Sequence, residues 1–155
     1  MITTVAIDPG SSSGALAWLD DGGLRTCNMP STFKDIWDAF HDPARASARF
    51  YIEDVGGSRP GNAAKSARTF AEHCGALKMA AVASGHSHEL VAPRRWLTGL
   101  FGDAYPKGPT PADVKARKHF IYERMQREYP TATFTLRQAD AVAILHWAVT
   151  KGGPK

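Results

Sequence analysis

Only two cysteines, Cys27 and Cys74, occur in the 155 residues, far apart and outside any CxxC spacing. That argues against a disulfide framework and a zinc-binding arrangement, and a reducing, cytosolic setting fits best. No apolar run approaches the ~20 residues needed to cross a bilayer, and the N-terminus carries no basic-then-apolar signal pattern, so no membrane is expected as a partner. No internal repeat and no domain boundary stand out, so residues 1–150 are expected to form a single domain, followed by a flexible tail, KGGPK, over 151–155. The apolar share of 43% and the charged share of 22% are those of an ordinary globular chain with its own core. Acids are the scarcer charge: 15 Asp and Glu against 19 Lys and Arg leave a net charge of +4. A pI near 9.2 leans toward a polyanionic partner without singling one out.

The β-branched run ITTVAID (2–8) reads as a strand. GALAWL (14–19) and LRTCNM (24–29) follow as two more, joined by the Asp20-Asp21-Gly22-Gly23 turn. STFKDIWDAF predicts a short helix capped by Ser31 or Thr32, ARFYIEDV (48–55) a fourth strand, and GGSRPGN (56–62) a Gly-rich loop. From Asn62 to about Ser84 an alanine-rich helix places Ala67, Phe70, Ala71, Cys74, Leu77 and Ala81 on one stripe. HELVAP (88–93) reads as a fifth strand closed by Pro93, RRWLTGLFG as a short helical turn, and DAYPKGPTP (103–111) as a flexible loop. A helix is expected over 112–128, and a last one from about Leu136 through ADAVAILHWAV. A three-stranded meander feeding αβαβα gives a mixed five-stranded sheet flanked by helices, an order that resembles the ribonuclease H-like fold.

Three acids hold comparable places in that order. Asp8 ends the first strand, Glu53 lies near the end of the fourth, and Asp140 falls in the first turn of the last helix. If the first and fourth strands are neighbours, Asp8 and Glu53 end at one edge, and a helix packed there brings Asp140 to the same point. Carboxylates a few ångströms apart repel one another, and a divalent cation removes that penalty. Mg²⁺ prefers hard oxygen ligands, and two such ions ~3.5–4 Å apart activate a water and stabilise the leaving oxygen of a phosphodiester. Each acid also has a local role open to it. Asp-Pro-Gly is a common turn, Glu53 fits a solvent-facing strand position, and Asp140 suits the positive end of a helix dipole. Their joint placement at matching element ends is what points to a metal.

The stretches IDPGSSSGAL, YIEDV with its Gly/Pro loop and SARTFAEHCGAL, ELVAPRRWLTGLFG and RQADAVAIL, in that order over residues 2–150, resemble the RuvC-type Holliday junction resolvases. The shorter forms found in phages and prophages are the most alike. The resemblance implies a ribonuclease H-like α/β fold, a homodimer, and Mg²⁺-dependent nicking of branched DNA by a metal-bound water, with Mn²⁺ able to substitute. Asp8, Glu53 and Asp140 fall on the family's catalytic, metal-binding acids. The family's usual fourth ligand, one helical turn before the last acid, is Arg137 here, which cannot ligate a cation. That leaves three possibilities: fewer protein groups on a second metal, a contribution from another acid such as Asp54, or weakened catalysis. Bacterial members often carry an aromatic residue three places after the strand glutamate; this chain has Gly56, so a base-stacking role there is not carried over.

Basic residues gather in the second half: Arg94, Arg95, Lys107, Lys115, Arg117, Lys118, Arg124 and Arg127. Lys107, Lys115, Arg117 and Lys118 are the expected DNA-phosphate contacts, and Arg59 and Lys65 flank the loop after Glu53 where a cut strand would pass. A solvated helix face accounts for the same charges equally well. Trp96 is expected in the core, the 62–84 stripe serves core or subunit contact, and the histidines form no metal set with the acids. Other functions stay in view. A sugar-kinase-like phosphate site would need a second domain that 155 residues do not hold. A YqgF-like RNA-processing nuclease usually has a basic pair where this chain has Ser11-Ser12-Ser13. A DNA-binding module without catalysis would explain Arg137.

Overall fold

A computed structural model of the chain describes residues 2–42, 47–55 and 64–152. Its centre is built from two strands that carry buried runs, β1 (Thr3–Asp8) and β4 (Ala48–Glu53). β1 pairs antiparallel with β2 (Ala15–Asp20), which pairs antiparallel with β3 (Gly23–Asn28). On its other side β1 pairs parallel with β4, which pairs parallel with β5 (Ser87–Val91). The order is β3-β2-β1-β4-β5, the mixed five-stranded sheet expected from the element order.

Side chains of successive strand residues leave opposite faces, and the sheet sorts its core accordingly. Val5, Ile7, Leu16, Phe50 and Ile52 pack under α1 (Phe33–Phe40) and α2 (Ala64–Ala83). Ala6, Ala15, Ala17, Tyr51 and Val91 face α3 (Pro93–Phe101), α4 (Pro111–Glu128) and α5 (Ala139–Trp147). The second face uses small residues where the first uses large ones. Alanines on β1 and β2 meet Ala139, Ala141 and Ala143 of α5, so this helix lies close against the centre of the sheet. Seven of the nine residues of α5 are buried, as expected of a helix apolar all round.

Several boundaries differ from the sequence reading. Pro93 does not close the fifth strand; it opens α3, where its missing N–H is no loss, and the expected short turn becomes a helix of nine residues. The last helix begins at Ala139 rather than near Leu136. The Gln138 side chain accepts from the Thr135 N–H at 2.9 Å, and the Gln138 N–H donates to the Thr135 carbonyl, which fixes a turn before the helix. Along α2 the buried residues are His73, Leu77, Ala80 and Ala81, whereas Ala71 of the expected stripe is exposed. A stripe drawn through apolar residues alone passed over His73. α4 opens with a capping box between Thr110 and Asp113, and α5 runs on into a π-helical turn, Ala148–Gly152. Residues 153–155 of the expected tail lie outside the described residues.

Between β1 and β2 the backbone folds tightly on itself. The Gly14 N–H donates to the Gly10 carbonyl at 2.7 Å, and the Met29 N–H donates to the Gly14 carbonyl at 3.0 Å. A Cβ at Gly14 would stand 2.3 Å from the Asp8 carbonyl oxygen and 2.7 Å from the Gly10 nitrogen, both backbone atoms that cannot swing aside. Gly14→Ala is therefore expected to destabilise the fold by about 2 kcal/mol or more, read from urea unfolding; a change under about 0.5 kcal/mol would show that the turn relaxes freely.

Candidate active site

The parallel register decides where the acids go. Ile7 stands beside Ile52, so the next residues, Asp8 and Glu53, end adjacent strands together. By alternation both follow Ala6 and Tyr51 onto the face covered by α5, whose second residue is Asp140. The three acids expected to converge are brought to one place. Asp8 lies within hydrogen-bond reach of Glu53, and the charges of Asp140 and Glu53 both bear on it.

Burial, first, and then the neighbouring charge of Asp140 and that of Glu53 push the Asp8 carboxyl well above the usual carboxylate range. Burial likewise raises Asp140. Glu53 is 8% exposed. Its Oε1 accepts a hydrogen bond from the indole N–H of Trp96 at 2.8 Å. Trp96, 2% exposed, is in the core as expected, but it also fixes the glutamate's orientation. Sequence reasoning missed this pairing, although a buried indole N–H requires an acceptor.

The positive charge that favours ionisation of both Asp8 and Asp140 comes from Lys118 on α4. Lys118 was expected at DNA phosphates only, and the fold places it beside the acids. Arg137 behaves differently. It sits in the turn before α5 rather than within the helix, its charge bears on neither Asp8 nor Asp140, and its Nε is buried without a hydrogen-bond partner among the described residues. Asp54, the alternative ligand, lies just past β4 and points away from the site: its Oδ1 pairs with Lys78 of α2 at 2.8 Å. Alternation alone separates it from Glu53.

The other expected contacts are dispersed. Lys65 is exposed at the start of α2, and Lys115 is exposed on α4. Lys107 pairs with Asp103 at 3.4 Å, and Arg117 donates to the Gly108 carbonyl, bracing the loop before α4. Arg59 lies outside the described residues. Among the described residues no group of three His, Cys, Asp or Glu side chains is already arranged to hold one ion. The donor chemistry nevertheless fits a hard divalent cation of the Mg²⁺ class. Such an ion commonly takes one or two carboxylates and completes its shell with water and substrate phosphate, and a pair of acids with a third nearby is of that kind.

A carboxyl whose folded pKa is raised stabilises the fold at low pH and loses that contribution as pH rises through the raised value. Above it, Asp8 is charged against its neighbours. In EDTA at pH 8, Asp8→Asn should therefore melt above the unchanged protein, by about 2–4 °C per kcal/mol of repulsion removed. The difference should close toward pH ~4, where the unfolded carboxyl also takes up its proton. Mg²⁺ should raise the melting temperature of the unchanged protein and leave Asp8→Asn where it was. A variant that melts lower at pH 8 would mean that the acids are not in conflict.

No protein-family model matches the chain, and no curated protein matches it either. Solved structures do. A Thermus thermophilus RuvC structure aligns with a TM-score of 0.58, and T. thermophilus RuvC in complex with Holliday junction substrate with a TM-score of 0.61. Each is 15% identical to this chain, and each alignment covers 97% of both chains. At that identity the likeness speaks for the fold, and the fold it shows is the RuvC form of the ribonuclease H-like architecture, a five-stranded mixed sheet flanked by helices.

Proposed function

We propose that the chain is a divalent-metal-dependent endonuclease that cuts branched DNA, four-way junctions above all. One observation carries the reading: Asp8 and Glu53 end neighbouring parallel strands on the face that bears Asp140, so three acids that repel one another are held together by the fold itself. Such a cluster is costly without a cation. The neighbour solved with a Holliday junction substrate has the same fold over nearly the full length, which supports a junction as the substrate.

In this reading Asp8, Glu53 and Asp140 are the residues that hold Mg²⁺, with Mn²⁺ as a substitute. The ion, when bound, supplies a water nucleophile at neutral pH and neutralises charge developing on the phosphodiester. Trp96 keeps Glu53 oriented through its N–H. Lys118 favours the ionised form of two of the acids and stands ready to meet the phosphate that approaches them. Lys65, Lys107, Lys115, Arg117 and Arg59 supply further phosphate contacts along the strand. Paired cuts across a junction call for two equivalent sites, which a two-fold dimer provides; the exposed Met79 and Val82 on α2 are apolar surface suited to that contact. The chain is a single domain of this type, and no described helix is long and apolar enough to cross a membrane. A second reading, a junction-binding protein with weakened catalysis, draws on Arg137 and on the absence of a ready three-donor set among the described residues.

The test is cleavage at low salt with Mg²⁺, Mn²⁺ or EDTA on a labelled four-way junction, linear duplex, flap and RNA/DNA hybrid. Paired nicks in the junction that disappear with EDTA and with Asp8→Asn are expected, with junction binding kept. Binding without cutting would favour the second reading, and cutting of the RNA-containing substrate alone would overturn both. Lys118→Ala should weaken junction binding and reduce the slope of log K against log salt by about one; an unchanged slope would remove Lys118 from the phosphate contacts.

A further inference from the structure

The serine-rich turn after Asp8 plays no part in the mechanism above, yet it forms one wall of a cleft. Gly10, Ser11, Ser12 and Ser13 face Lys65, Ser66, Thr69 and Phe70 of α2 across a space of about 390 Å³. That size lies in the usual range of ligand sites, ~300–1,000 Å³. The lining is selective. Five hydroxyl-bearing residues, one cation and one aromatic ring meet there, and no carboxylate is among them. Another cleft, near Lys107, has its lysine tied to Asp103, and a third is lined by Asp20 and Asp21. Lys65, by contrast, has no ion-pair partner among the described residues, and the five hydroxyls make no side-chain hydrogen bond there. Hydroxyls and a lysine suit a phosphate, and a half-buried ring suits the face of a base.

The turn is also rigid. Hydrogen bonds from Ser13 and Gly14 to the Gly10 carbonyl, together with the crowding around Gly14, hold the serines in a fixed array three to five residues beyond Asp8. Donors fixed in advance lose little freedom on binding. We propose that this cleft binds one nucleotide of the DNA strand passing the acid site. Lys65 and the serine hydroxyls hold its phosphate, and Phe70 stacks on its base. The proposal rests on the endonuclease reading for the identity of the strand.

The experiment uses the full chain carrying Asp8→Asn, so that DNA is held uncut. 2-Aminopurine is placed singly at each position near the branch point of a four-way junction and, separately, along a single-stranded oligonucleotide. One position is expected to change its fluorescence on binding. Phe70→Leu should abolish that change, Phe70→Tyr should restore it, and loss of the stack should weaken binding by about 5- to 100-fold. Lys65→Ala and Ser12→Ala, both at exposed positions, should weaken binding while leaving the signal at saturation intact. They keep the test sharp if Phe70 variants misfold by circular dichroism. A junction that binds with a signal indifferent to Phe70, or binding indifferent to Lys65 and Ser12, overturns the cleft and leaves the endonuclease reading standing. A Phe70-dependent signal on single strands with no junction binding supports the cleft and overturns the branched substrate. No binding to either DNA overturns both.

Discussion

Parallel pairing of β1 with β4 is the constraint on which the rest of the molecule depends. It fixes Ile7 beside Ile52, and from that register the ends of the two strands, their facing acids and the position of the covering helix all follow. Parallel neighbours need a crossover between them. Here the crossover consists of β2 and β3, which extend the sheet on the far side of β1, and α1, which covers one face on the way back to β1. The other face is left to α5, whose small residues let Asp140 arrive close to the strand ends.

The site so formed balances opposing charges. Asp8 and Asp140 are both pushed toward their protonated forms by burial, and among the described residues Lys118 pulls the other way. A rigid sheet makes such a balance possible. Strand ends cannot drift apart to relieve repulsion without breaking ladder hydrogen bonds, and Trp96 denies Glu53 one easy rotation away from its neighbour. The conflict is stored in the fold, available to whatever cation and phosphate enter.

Much of this was legible in the residues. ITTVAID announced a strand by its β-branched residues and ARFYIEDV read as another, and their terminal acids, together with an acid at a helix start, announced a shared site. What escaped notice did so for identifiable reasons. Pro93 reads equally as a strand stop or a helix opener, and only the helix's packing against α5 decides between them. His73 interrupts an apolar stripe yet is buried, which periodicity counts as a polar break. Lys118 is one of several cations on an exposed helix. Nothing in its neighbours distinguishes it from Lys115; the packing of α4 against α5, which carries Asp140, does. Arg137 looked like a helical residue one turn before Asp140, but the Gln138 turn delays the helix and sends it elsewhere.

The two consecutive acids Glu53 and Asp54 show what strand alternation does to neighbouring charges. One is delivered to the candidate site beneath α5, the other to a half-exposed ion pair with Lys78 of α2. Identical in charge and adjacent in sequence, they take different partners. The arrangement makes β4 sensitive to changes in length: losing a single residue upstream would carry Asp54 into the place of Glu53, and gaining one would carry Glu53 into the place of Asp54. The length of β4 up to Glu53, more than the identity of the residues along it, therefore sets which acid reaches the indole.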